Sequence, residues 1–156
     1  MFTRALVALL LPLVWAWARR HERAILQSGK PLREGELLDA RRAGVQHPER
    51  VRVLVLPSVP PRLPRALREL AERCAWGPAT VTGMALGYGI FVRAEQGSSR
   101  RLLVHELAHV AQYERLGVRP FLKLYLHQCL TSGYPHGLLE AEAKQIARDL
   151  LAPNTG

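Results

Sequence analysis

The stretch from Ser98 to Pro120 constrains this chain most, because its punctuation and periodicity leave room for little but one helix. Ser98 and Ser99 are N-cap residues, since a serine oxygen accepts from an orphan N–H of the first helical turn. Gly117 and then Pro120 supply the stop. Between them runs Arg100-Arg101-Leu102-Leu103-Val104-His105-Glu106-Leu107-Ala108-His109-Val110-Ala111-Gln112, good helix formers with apolar residues at helical spacing. On such a helix His105 and His109, at positions i and i+4, project from one face. Two imidazoles so placed can share one ion, with Zn–N distances of roughly 2.0–2.1 Å. Glu106 lies about 100° around from His105, poorly placed to be a ligand. It can instead take a proton from metal-activated water as a general base. The plain alternative is an amphipathic helix whose histidines are solvated or hydrogen-bonded, which the apolar pattern alone permits.

A catalytic zinc site takes three protein ligands and keeps a fourth position open, so a carboxylate or histidine is expected on a later element. The last helical stretch, Gly137 to Leu150, carries Glu140 and Glu142. His105-Glu106-x-x-His109 followed by Glu140-x-x-Ala143 resembles the gluzincin metallopeptidases, in particular the small single-domain kind called minigluzincins. His-Glu-Leu-Ala-His-Val-Ala-Gln also resembles the peptidase-like domain of bacterial toxin and injection-system proteins. The likeness covers about residues 80–150. It implies a zincin-like α+β fold, zinc (Zn2+) held by His105, His109 and Glu140, and peptide-bond hydrolysis with Glu106 as base. One departure matters: the family's Asp after Ala is Lys144 here. That Asp commonly orients a ligand histidine, and such outer carboxylates tune metal affinity roughly 10–100-fold. Either Glu142 or a backbone carbonyl takes the role, or the site is weaker. Glu142 is also the rival third ligand, although on a helix it faces about 200° away from Glu140.

The chain is 156 residues long, suited to one domain that buries a core without disulfides. We divide it into an apolar segment over residues 1–20 and a single metallopeptidase-like domain over residues 21–156. The net charge is +9, and every basic residue except Lys30, Lys123 and Lys144 is arginine. That balance favours anionic surfaces. No basic stripe interleaves with aromatics and no glycine-rich phosphate loop is present, which argues against nucleic acid. Cys74 and Cys129 lack metal-ligand spacing and read as small buried residues rather than a disulfide.

Residues Ala5 to Ala18 are apolar throughout, with Arg4 before them and Arg19, Arg20 and Arg23 after. Such a run is shorter than the roughly 20 residues a spanning helix needs. Trp15 and Trp17 beside the arginines suggest that residues 5–23 anchor at a membrane surface, with the domain on the cytoplasmic side. A core helix kinked at Pro12, or a signal segment that would make the protein exported, are the alternatives.

Further along, residues Arg20 to Ala43 read as two short helices separated by Gly29-Lys30-Pro31. Val51 to Leu56 is the first strand and Pro64 opens a helix to about Cys74. Val81 to Val92 is two short strands or one bent one, with glycines marking turns or close approach; by the resemblance it edges the substrate cleft. Phe121 to Leu130 is a core helix on which Tyr125 and His127 read as packing residues. In the loop before Glu140, Tyr134 and His136 are candidate oxyanion donors, with capping of the last helix as the other role. Gln112 faces the same way as His109 and either lines the site or caps a backbone group.

The expected fold is α+β, a small sheet packed with helices around a central metal-binding helix. The expected function is zinc-dependent hydrolysis of a peptide or protein substrate. Two other readings stand beside it: a metallopeptidase-like docking or processing module with little turnover, and a membrane-surface or anionic-partner binding protein.

Overall fold

The computed structural model describes residues 2–58, 63–74, 76–77 and 80–152. Among them are six α-helices and a four-stranded mixed sheet, so the class is α+β. The helices are α1 (Phe2–Ser28), α2 (Glu34–Arg42), α3 (Arg65–Arg73), α4 (Arg100–Leu116), α5 (Val118–Ser132) and α6 (Leu138–Leu151). The strands are β1 (Lys30–Pro31), β2 (Arg52–Leu56), β3 (Gly83–Leu86) and β4 (Gly89–Arg93), ordered β1-β2-β4-β3 across the sheet. β2 runs parallel to β4 with Val53 opposite Ile90, while β1 and β3 are antiparallel to their neighbours.

Helix α1 is continuous through Pro12. The missing N–H of Pro12 frees the Ala8 carbonyl, and both residues lie on the exposed side, where water can satisfy that oxygen. The opposite side carries Val7, Val14, Trp17, Ala18 and Ile25, all buried. Its second half lies on the sheet, where Glu22, 5 % exposed, accepts the Tyr88 N–H at 3.1 Å and binds the Arg19 guanidinium. This carboxylate fills the β3–β4 turn. Gly87 sits there at φ 61°, and a Cβ on it would come within 2.1 Å of Glu22 Oε1, so both the backbone and the space demand glycine. None of the described helices is long and apolar enough to cross a membrane.

Helix α4 is central, packed against α2, α5, α6 and β3. The Ser99 hydroxyl accepts the Leu102 N–H, as expected of an N-cap, and Gly117 ends the helix at φ 83°. Arg100 opposes the helix dipole at this end. Buried Asp39 of α2 compensates, accepting two bonds from Arg100 at 2.8 Å. At the other end Glu114 receives the backbone N–H groups of Gln46 and His47 and the Tyr88 hydroxyl at 2.7–3.0 Å. Burial and this carboxylate push Tyr88 up to about 12. Val104, Leu107 and Val110 are fully buried, each contributing roughly 1.5–3 kcal/mol. Rotating α4 would expose all three, so the direction of its histidines is set by the core.

Candidate metal centre

Helix α4 presents His105, Glu106 and His109 to one side, and α6 packs beside it bringing Glu140. The two imidazole Nε2 atoms lie 3.2 Å apart. Glu140 places Oε2 at 3.3 Å from His105 Nε2 and Oε1 at 3.4 Å from His109 Nε2. Ligands each about 2.0–2.1 Å from a tetrahedral ion are separated by about 3.3 Å, so the spacing suits one divalent cation. With one atom taken from each residue, all three donors lie within 4.8 Å of one another. Glu140 Oε2 is buried and has no hydrogen-bond partner. An orphaned buried oxygen costs about 1–3 kcal/mol, more when charged, and a cation at this point would remove that cost. Burial would raise the Glu140 carboxyl, but His105 and His109 outweigh it and hold the group well below the usual carboxylate range. Conversely, burial depresses His109 while Glu140 lifts it, with a net value of about 8.

Behind the candidate ligands, His109 Nδ1 faces Gln112 Oε1 at 2.8 Å. The Gln112 amide nitrogen donates to Leu139 O and Glu142 Oε2, both at 3.0 Å. With two acceptors around the nitrogen, the amide oxygen must face the histidine. In the neutral imidazole Nδ1 therefore carries the proton, which leaves the Nε2 lone pair available to a cation. Glu142 is held in turn by Arg115 at 2.8 and 2.9 Å. It supports Gln112 and is not among the converging donors. Lys144 points elsewhere, donating to Pro135 O at 2.9 Å. The histidine-orienting role expected of Glu142 or a carbonyl is thus taken by Gln112, which rests on both kinds of group. Its i+3 spacing from His109 was the available signal.

Tyr125, expected from the sequence to be a packing residue, does more than pack. It packs beside the His109 and Phe121 rings, and its hydroxyl also donates to Glu140 Oε1 at 2.7 Å. Only the docking of α5 and α6 on the same central helix α4 reveals this.

Glu106 is 3 % exposed and lies near the backbone N–H of Ala85 on β3. Burial pushes its carboxyl above the ordinary range. A Cβ on Gly83 would meet Glu106 Oε1 at 2.6 Å, so glycine makes room for the carboxylate. Tyr134 borders the same space as His105, Glu106 and Glu140. Burial pushes its phenol well above the ordinary value, so it keeps its proton. His136 is not brought in: it lies exposed on the turn and lines neither adjoining cavity.

The site sits between two spaces. Behind it is an apolar cavity of about 110 Å³, walled by Val14 and Trp17 of α1, Leu67 and Leu70 of α3, and Leu122 and Leu126 of α5. In front is an open cleft of about 530 Å³ with Thr82, Gln96, Arg101 and Lys144 on its walls. Gly83, His105, Glu106, Tyr134 and Glu140 border both. No family model, curated protein or solved structure matches this chain. The sheet order leaves β3 at the edge, with Gly83 on the open cleft.

Proposed function

We propose that this chain is a zinc-dependent peptidase of gluzincin character, with His105, His109 and Glu140 as metal ligands and Glu106 as general base. The observation that carries the reading is the 3.2–3.4 Å spacing of imidazole nitrogens and carboxylate oxygens, with one buried carboxylate oxygen lacking a hydrogen-bond partner. A mixed imidazole–carboxylate set is typical of catalytic rather than purely structural zinc. Bound there, zinc would supply Lewis acidity, polarising a carbonyl and acidifying water.

The chain's own residues do the rest. Glu106, raised by burial but beside the ligand histidines, is tuned to accept a proton and return it to the departing amine. Tyr134 keeps its phenol proton and is available to donate to the developing oxyanion. Gln112 holds the His109 tautomer and Tyr125 orients Glu140. A peptide laid along the β3 edge would find the main chain of Gly83 for strand-like pairing.

The test joins metal content to turnover. Purified protein is expected to hold about one equivalent of zinc, lost in His105→Ala and His109→Ala. Incubation with a proteome-derived peptide library should give new termini with wild type and far fewer, at equal time, with Glu106→Gln. Folded wild type that takes up no zinc would end the metal reading. Zinc uptake without cleavage would favour the docking-module reading.

A further inference from the structure

The first half of α1 is apolar on its outer side as well as its inner one. Ala5, Ala8, Leu9, Pro12, Leu13 and Ala16 recur at helical spacing and are all exposed, Leu9 at 75 %. Trp15 borders this strip at 38 % exposure, with the Arg119 guanidinium 5.6 Å from its ring centroid. Leu124 adds an exposed apolar side chain from α5, which packs against α1. Arg4, Arg20, Arg23 and Lys123 are exposed and make no ion pair with any acidic group among the described residues. No acidic residue precedes Glu22, which is buried.

We propose that this outer face of α1 is a docking surface for an anionic lipid bilayer. Leu9, Leu13 and Trp15 enter the boundary between headgroups and acyl chains, and Arg4, Arg20 and Arg23 meet lipid phosphates. The helix lies on the membrane and does not cross it, because no described helix is long and apolar enough to span. Charge decides between the two simplest occupants. A second copy of this chain would bring another +9 and the same arginines against the face, whereas an anionic bilayer offers the complementary sign. The inner face of the same helix supplies Val14 and Trp17 to the cavity beside the candidate metal ligands. Lipid docking therefore holds that cavity close to the membrane surface, although the inference stands without the peptidase reading.

Deleting residues 1–18 is unsuitable as a test, because Val7, Val14, Trp17 and Ala18 belong to the buried interior. Point changes on the exposed side avoid that. The full chain is mixed with vesicles of phosphatidylcholine and phosphatidylglycerol, or of phosphatidylcholine alone, and sedimented. Pelleting is expected with the anionic vesicles, decreasing as salt is raised. Leu9→Glu and the double change Arg20→Glu with Arg23→Glu should each weaken binding by about tenfold or more. Circular dichroism should be unchanged in both. If Leu9→Glu does not fold, the charge-reversal variant and the wild-type salt response still decide. The proposal is overturned if wild type stays in solution with anionic vesicles, pellets equally with phosphatidylcholine alone, or is unaffected by these changes. It is also overturned if the chain forms a dimer that Leu9→Glu dissociates, since a second copy would then cover the face.

Discussion

Gln112 Oε1 faces His109 Nδ1 at 2.8 Å, on an amide whose nitrogen is already committed to Leu139 and Glu142. This pairing sets which imidazole nitrogen is free to bind a cation, and it does so with an amide rather than a carboxylate at Nδ1.

Replacing Gln112 by Leu should therefore lower zinc affinity roughly 10–100-fold, the usual effect of losing such a partner. Competition titration against a chelator measures it. Glu142→Gln should have a smaller effect, because Glu142 lies one residue further from the histidine. If Glu142→Gln strips the metal while Glu140→Gln does not, the third ligand is Glu142 and not Glu140.

Base and ligand should separate cleanly. Glu106→Gln keeps the shape but cannot accept a proton, so turnover should fall about 10²–10⁴-fold with zinc retained. Glu140→Gln should instead lose zinc, a neutral amide oxygen being a poorer ligand than a carboxylate. Tyr134→Phe should retain zinc and lower kcat by about 10²–10³-fold if its phenol serves the oxyanion. Metal analysis and steady-state kinetics on the three variants check this together.

Tyr125→Phe removes the hydroxyl that donates to Glu140 Oε1. A buried hydrogen bond to a charged group is worth about 1.5–3 kcal/mol, so the metal-free protein should lose stability on that scale. Urea unfolding of metal-free wild type and variant gives the difference. No loss would mean that water replaces the hydroxyl at Glu140.

The Arg100 guanidinium beside Asp39 holds the Asp39 carboxyl below its ordinary value, against the opposing effect of burial. A carboxyl whose folded pKa is depressed stabilises the fold fully above its unfolded value near 3.9. That stability is lost as pH falls through the lower folded value. The gap in unfolding free energy between wild type and Asp39→Asn should be constant from about pH 5 to 7 and shrink in stronger acid. A gap independent of pH down to about 2 would remove the ion pair as its cause.

Local chemistry determined much of this protein. Helical periodicity alone placed His105 and His109 on one face, with Glu106 to the side, and Ser99 and Gly117 at the ends of α4. Val51 to Leu56 and Val81 to Val92 could be read as strands from their β-branched and glycine patterns, and appear as β2 and the β3–β4 hairpin. What the sequence left open depended on which surfaces meet. Glu140 rather than Glu142 faces the histidines because α6 turns its buried face, with Leu139, Ala143 and Ala147, toward the protein interior. Tyr125 reaches Glu140, and His136 stays outside, for reasons that involve segments distant in the chain. Residues Ala5 to Ala18 show the same division: their composition told only that they are apolar. Tertiary packing made one side core and left the other exposed, because a helix with apolar residues all round has more such surface than this small domain can bury.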